Sequence, residues 1–205
     1  MFVKGKILSR GPGLLSEFIF REALMKGQNY AIVKIKFNRN QSFMDTAITL
    51  GNMPTRAGVR PKTTDTNPHM QLTQQPGDLS FIKELMDWAF KMSHISRQPS
   101  GISVPGAVAM CMDDDHTCKS CNAFMVGTEF AHFHPDPDYS MHLSLTKKDA
   151  ELIILNGWGE WHPMITRGIL PPNIVMLYAP RDRDELQVAK FILSRSYAFA
   201  TGELK

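Results

Sequence analysis

Nowhere in its 205 residues does the chain hold 18 consecutive apolar residues, the minimum that suggests a bilayer-spanning helix. Nor does it open with a basic region, an apolar region and a small-residue cleavage site, so neither a transmembrane segment nor a secretory signal is expected. Charge of one sign is scarce: 23 Lys and Arg stand against 20 Asp and Glu, a net of +3. The cations are scattered rather than striped, which argues against a nucleic-acid partner. Cysteine is scarce too. Three thiols cannot all pair within the chain, which favours a reducing, cytoplasmic setting. The 43% hydrophobic and 21% charged residues are the balance of a soluble globular protein with room for one domain and a substantial core.

What the chain does have is a concentration of histidine. Three of seven fall in Glu129-Phe-Ala-His-Phe-His-Pro-Asp-Pro-Asp-Tyr-Ser-Met-His-Leu-Ser-Leu145. Two runs of period-two alternation flank a Pro/Asp cluster, the pattern of a β-hairpin. His132 and His134 project from the same face of their strand. With the hairpin centred on Pro137, His132 lies opposite His142, side chains roughly 5 Å apart. A slip of one residue would send His142 to the other face.

Around this hairpin the chain reads as helix, strand, loop, helix, hairpin, helix, strand, helix. Leu14, Leu15, Phe18, Ile19, Ala23 and Leu24 recur at helical spacing, Gly27 suits the cap, and Tyr30–Phe37 alternates, giving a helix–strand element over 1–45. Residues 50–78 are rich in Pro, Gly, Thr and Asn and lack periodicity. Arg56, Arg60 and His69 are the groups there able to bind an anion, with solvated loop charges the plainer reading. Asp78 can cap a helix to about Met92, and a short strand fits Val104–Met112. Thr146 caps a further helix ending at Asn156-Gly157. Trp158–Pro163 reads as a loop placing His162 beside two tryptophans and Glu160. Ile174–Tyr178 suits a buried strand. Asp182 with Glu185 forms a capping box for the last helix, leaving Arg181 at the strand's end as a ligand group or a structural ion pair. The sum is a single α+β domain, helices packed on a small mixed or antiparallel sheet.

Cys118 and Cys121 have the spacing that presents two thiolates to one tetrahedral ion, and Cys111 and His116 can complete the shell. Structural zinc, a labile disulfide and free thiols all remain open.

From about Leu50 to Gly202 the chain resembles the luciferase-like domain family of the fungal luciferases. The resemblance rests on Pro54-Thr-Arg-Ala-Gly-Val-Arg-Pro61, Glu129-Phe-Ala-His-Phe-His134, Met141-His-Leu-Ser-Leu145, Gly157-Trp-Gly-Glu-Trp-His-Pro163 and Leu177-Tyr-Ala-Pro-Arg181 with its acidic helix. It divides the chain into the element over 1–45 and a luciferase-like domain over 46–205. Fungal luciferases lack the Cys111–Cys121 cluster, which suggests an insertion. They also begin with a hydrophobic membrane anchor that residues 1–45 do not supply, which suggests a soluble relative.

The resemblance implies oxygenation of an enolic pyrone, 3-hydroxyhispidin in fungi, which reacts with O2, loses CO2 and leaves an excited product that emits light. No flavin or haem is implied, since the substrate itself can reduce oxygen; O2 is the co-substrate and no cofactor is required. A neutral histidine can remove the enol proton, making His132, His134, His142 and His162 the candidate bases. Arg181 offers a permanent cation for an enolate or product carboxylate. Trp158, Trp161 and Tyr178 can wall a flat aromatic away from water, with Glu160, Arg56 and Arg60 as further substrate contacts. A rival enzyme reading takes His132, His134 and His142 as ligands of Zn2+, Fe2+ or Mn2+. A third is a binding module that has lost the reaction. The expected partner is a small aromatic molecule; oligomeric state is left open.

Overall fold

The computed structural model describes residues 48–119 and 122–204; the element expected over 1–45, and Cys121, lie outside them. Three helices, α1 (Ser80–Ala89), α2 (Lys147–Leu155) and α3 (Arg183–Thr201), accompany six strands: β1 (Ile95–Pro99), β2 (Val108–Met112), β3 (Glu129–Phe133), β4 (Met141–Ser144), β5 (Gly159–Trp161) and β6 (Ile174–Leu177). The strands form one sheet in the order β1-β2-β3-β4-β6-β5, antiparallel at every pairing. This is the α+β architecture the pattern predicts.

The helices begin where their caps dictate. The Thr146 hydroxyl accepts the Asp149 N–H at 3.2 Å, and Asp182 accepts the Glu185 N–H at 2.8 Å. Each such cap satisfies a donor that the first turn leaves orphaned, typically stabilising by about 1 kcal/mol. Helix α1 starts one position later than its sequence signal: Leu79 holds the cap position, and Asp78 instead accepts the Ser80 N–H at 2.8 Å. It ends at Ala89, three residues short of Met92. Gly202, at φ +83°, closes α3 in the left-handed conformation that glycine adopts freely.

Two strands escape the periodicity. Ile95-Ser-Arg-Gln-Pro99 is a polar edge strand, tolerant of proline because one side of its ladder is unpaired. Gly159-Glu-Trp161 lies on the opposite edge, where a loop is predicted.

The sheet separates core from site. Ala131, Phe133, Met141 and Leu143 join Leu85 and Ala89 of α1 and Ile192 and Leu193 of α3 in the apolar core. Their strand neighbours His132 and His142 therefore face the other way. No helix among the described residues is long and apolar enough to cross a membrane.

Of the readings open for the cysteine cluster, Cys118 takes the disulfide. Cys111 is a free thiol on β2. His116 stacks on His94 with ring centroids 3.4 Å apart.

Candidate active site

One cross-strand row organises the site. The register places Ala109, His132, His142, Met176 and Glu160 opposite one another on β2, β3, β4, β6 and β5, and hence on one face. His132 Nε2 lies 3.1 Å from His142 Nδ1. His134, just past the end of β3, stacks on His132 with centroids 5.3 Å apart and meets His142 edge-on at 4.7 Å. The predicted register is the observed one.

A β-bulge supplies what that register alone does not. Met110 pairs with Ala131 but Cys111 pairs with Glu129, leaving Phe130 as the extra residue. The bulge shifts the phase of the strand, so Glu129 joins His132 on the site face and its Oε1 meets His132 Nδ1 at 2.7 Å. Ser100 Oγ and the Gly101 N–H donate to the same carboxylate at 2.7 and 2.9 Å. The turn supplies an equivalent partner: Asp138, fully buried, bonds His134 Nδ1 and accepts the Gln71 N–H at 3.0 Å.

The irregular stretch over 50–78 crosses this face and delivers His69, which is 2% exposed. His69 Nδ1 sits 3.1 Å from His142 Nε2, and its Nε2 sits 2.8 Å from Glu160 Oε1. Nothing in the periodicity separates His69 from a solvated loop residue; only the fold does. His162 arrives from beyond β5, its ring centroid 4.6 Å from His142 and 4.9 Å from His69. Together with Asn67, Ile102, Val104, Met125 and Leu170, the five histidines line a narrow pocket with about 30 Å³ of free space.

Electrostatics favour the neutral imidazole at His132, His142 and His162. Burial, reinforced by the neighbouring imidazoles, holds His142 well below the ordinary histidine range. Burial also lowers His132, outweighing the opposing pull of Glu129. His162 is pushed down to about 4, first by burial and then by the surrounding histidines. The carboxylates stay ionised. Burial alone would raise Glu160, but hydrogen bonds from His69, Tyr178, Thr63 and Arg60 bring it down to about 2. Glu129 and Asp138 are likewise lowered, their hydrogen bonds outweighing burial.

Hydrogen bonding sets the tautomers. With Nδ1–H given to Glu129 and to Asp138, the Nε2 atoms of His132 and His134 carry lone pairs. His162 is the reverse: its Nδ1 accepts the Met164 N–H at 3.1 Å, so its Nε2 carries the proton. The site therefore combines acceptor nitrogens with a donor nitrogen.

Other expected residues sit elsewhere. Arg181 does not line the pocket; it pairs with Glu185, its Nη1 donates to Gln74 at 3.0 Å and its Nη2 to the Ala57 carbonyl at 2.8 Å. It makes the structural ion pair. Arg56 is buried on the same Glu185 carboxylate at 3.3 Å. Trp158 is a core residue whose Nε1–H donates to the Pro54 carbonyl at 2.6 Å, and Trp161 is 37% exposed, so neither walls the pocket. Tyr178 and Arg60 act on Glu160: the Tyr178 hydroxyl donates to it at 2.5 Å and Arg60 Nε at 2.9 Å.

Fold and site together define an α+β domain with a buried, carboxylate-buttressed histidine cluster facing a small pocket. Residues 127–196 match the Luciferase domain family. Luciferase from Armillaria mellea is 28% identical over 169 residues, covering 75% of this chain and 63% of that protein; the one from Armillaria ostoyae is 26% identical over 168 residues, with the same coverage. Luciferase from Neonothopanus nambi is 34% identical over 77 residues, 37% of this chain and 29% of that protein. The chain thus spans somewhat less than two thirds of the Armillaria proteins it matches. No solved structure matches. The chain is thus similar to the fungal luciferases, and the family match falls on residues 127–196, which carry His132, His134, His142 and His162.

Proposed function

We propose that the protein oxygenates a flat, enolic, oxygen-rich small molecule of the hydroxypyrone class, with O2 as co-substrate and CO2 as leaving group. One juxtaposition supports this reading: the lone-pair nitrogens of His132 and His134 and the N–H of His162 belong to one buried pocket. Forming an enolate needs both. The proton leaves toward the His132–His134–His142 end, and the His162 Nε2–H stabilises the negative oxygen left behind. An electron-rich enolate supplies its own electrons to O2, so neither flavin nor haem is called for. The low dielectric of the pocket strengthens the His162 hydrogen bond relative to one made in water.

The 30 Å³ of free space admits O2 or a water pair but not a pyrone ring. A ring-sized substrate therefore needs lining side chains, among them Ile102, Val104 and Leu170, to move aside. The test is oxygen uptake and CO2 release with 3-hydroxyhispidin and simpler hydroxypyrones, with light recorded separately. His132→Ala is expected to reduce turnover by about 10² to 10⁴-fold in a protein that stays folded. Pyrone binding without oxygen uptake would instead make the chain a binding homologue.

A further inference from the structure

A linear chain of hydrogen bonds crosses the site: Glu129 to His132 at 2.7 Å, His132 to His142 at 3.1 Å, His142 to His69 at 3.1 Å, and His69 to Glu160 at 2.8 Å. Four contacts need four protons. Both ends are carboxylates, which accept only when ionised, and three neutral imidazoles bring three protons. A fully bonded chain therefore demands a buried imidazolium among other imidazoles. Without that fourth proton, one contact sets two lone pairs face to face at about 3 Å, a buried unsatisfied pair that costs on the scale of a lost hydrogen bond or more.

A cation at the His132–His142 contact removes the shortage. If His132 Nε2 and His142 Nδ1 are ligands, every remaining proton has a place. His132 Nδ1–H goes to Glu129, His142 Nε2–H to His69 Nδ1, and His69 Nε2–H to Glu160. The 3.1 Å separation of the two nitrogens is an edge of a coordination shell: at metal–nitrogen distances of about 2.1 Å, such edges run from about 3.0 Å (octahedral) to about 3.4 Å (tetrahedral). His134 adds a third nitrogen, its Nδ1 already held by Asp138, and ligand atoms of His132, His134 and His142 all lie within 4.8 Å of one another. Carboxylates on the far nitrogens of ligating histidines are the usual support of metal centres. Charge agrees. Glu129, Asp138 and Glu160 against the one guanidinium of Arg60 leave two buried negative charges, which a divalent ion matches.

We propose that His132 Nε2, His134 Nε2 and His142 Nδ1 bind one divalent first-row transition-metal ion, with Glu129 and Asp138 orienting two of the ligands and positions left open toward the pocket. The alternative triad of His69, His142 and His162 does not qualify, because the Nδ1 of His162 accepts from Met164 and leaves a proton on the nitrogen that would have to coordinate. The ion deepens the proposed function without resting on its choice of substrate. With the lone pairs of His132 and His134 taken up as ligands, the ion would replace them in favouring loss of the enol proton at the same end of the pocket, still facing the His162 donor.

The test uses the full chain purified without a histidine tag and stripped with chelator. Co2+ is added with its visible d–d absorption as the readout, followed by competition with Zn2+ and by thermal melts with and without metal. One equivalent per chain is expected, displaced by Zn2+, with a raised melting temperature. His134→Ala should abolish binding, and Asp138→Asn, which keeps all three ligands, should weaken it by about 10- to 100-fold. Metal affinity should survive His162→Ala, and also His116→Ala, which breaks the exposed His94–Asp113–His116 group. No Co2+ binding by the folded protein overturns the proposal, as does binding lost in His116→Ala but kept in His134→Ala. One equivalent bound on the histidines with no oxygen uptake from any pyrone leaves the metal site standing and defeats the substrate reading. Undiminished uptake by a metal-free protein does the opposite.

Discussion

His132 and His162 are both buried and both held below the ordinary histidine range, yet they present opposite chemistry to the pocket. The difference lies in one hydrogen bond each, Nδ1 donating to Glu129 in the first and accepting from Met164 in the second. Residue type and spacing were visible in the sequence for both; the tautomers were not, because each is set by a partner the fold brings in. If His162 acts on developing negative charge, His162→Ala should lower kcat by about 10² to 10³-fold and leave KM nearly unchanged, as steady-state oxygen uptake would show. The depressed values also fix a pH dependence. The unfolded chain takes up a proton on residue 162 near 6.5 and the folded chain only near 4, so this contribution to stability is full above about 6.5 and is lost as pH falls toward 4. His132 and His142 act in the same direction. Glu160, held near 2, adds a second contribution, present above about 4.5 and lost as pH falls toward 2. Urea denaturation of the metal-free protein at pH 7 and pH 5 should show stability lower at pH 5 by roughly one to a few kcal/mol.

Elements were legible in proportion to their regularity. The hairpin and the caps at Thr146 and Asp182 could be read because alternation and capping are local. The bulge at Phe130 could not, since it leaves the composition of the strand unchanged and shows only in pairing with β2. Strand β5 was missed for a similar reason: three residues carry no period, and its pairing with β6 is its whole basis. That strand nevertheless brings Glu160 into the site row, and Gly159 permits it. A Cβ at Gly159 would lie 2.2 Å from the Met176 carbonyl oxygen, a backbone atom that cannot swing aside. Gly159→Ala should therefore push β5 off the edge, destabilising by roughly 1–3 kcal/mol and cutting oxygen uptake more than its stability loss explains. Thermal melts beside turnover would reveal a benign substitution, in which case the strand tolerates the shift and Glu160 is not placed by it.

Across the whole molecule, the site draws on segments far apart in the chain, and the stretch over 50–78 is the least regular of them. Its length marked it as functional or wrapping, but its buried residues could not be told from solvated ones, because burial there depends on partners distant in the chain, among them Glu160, Asp138 and Glu185. The anchors are explicit. Arg56 donates to the Asn156 carbonyl through its backbone N–H at 2.8 Å and to Glu185 through its side chain at 3.3 Å. Arg181 ties Ala57 and Gln74 to the same carboxylate, and Gln71 bonds the Ala179 N–H. The sequence suggested Arg181 as a ligand group, in which case Arg181→Ala would change KM and kcat with the fold intact. As a clamp it behaves differently. It is a quarter exposed, so its removal should cost only about 1 kcal/mol globally. The loss should concentrate in the stretch carrying His69, where amide hydrogen exchange over 57–75 should rise while α3 keeps its protection. Turnover should then fall through misplacement of His69, and Arg181→Lys should not restore it, because a single ammonium cannot hold Glu185, Gln74 and the Ala57 carbonyl together. Unchanged exchange in that stretch, with activity lost, would return Arg181 to the substrate.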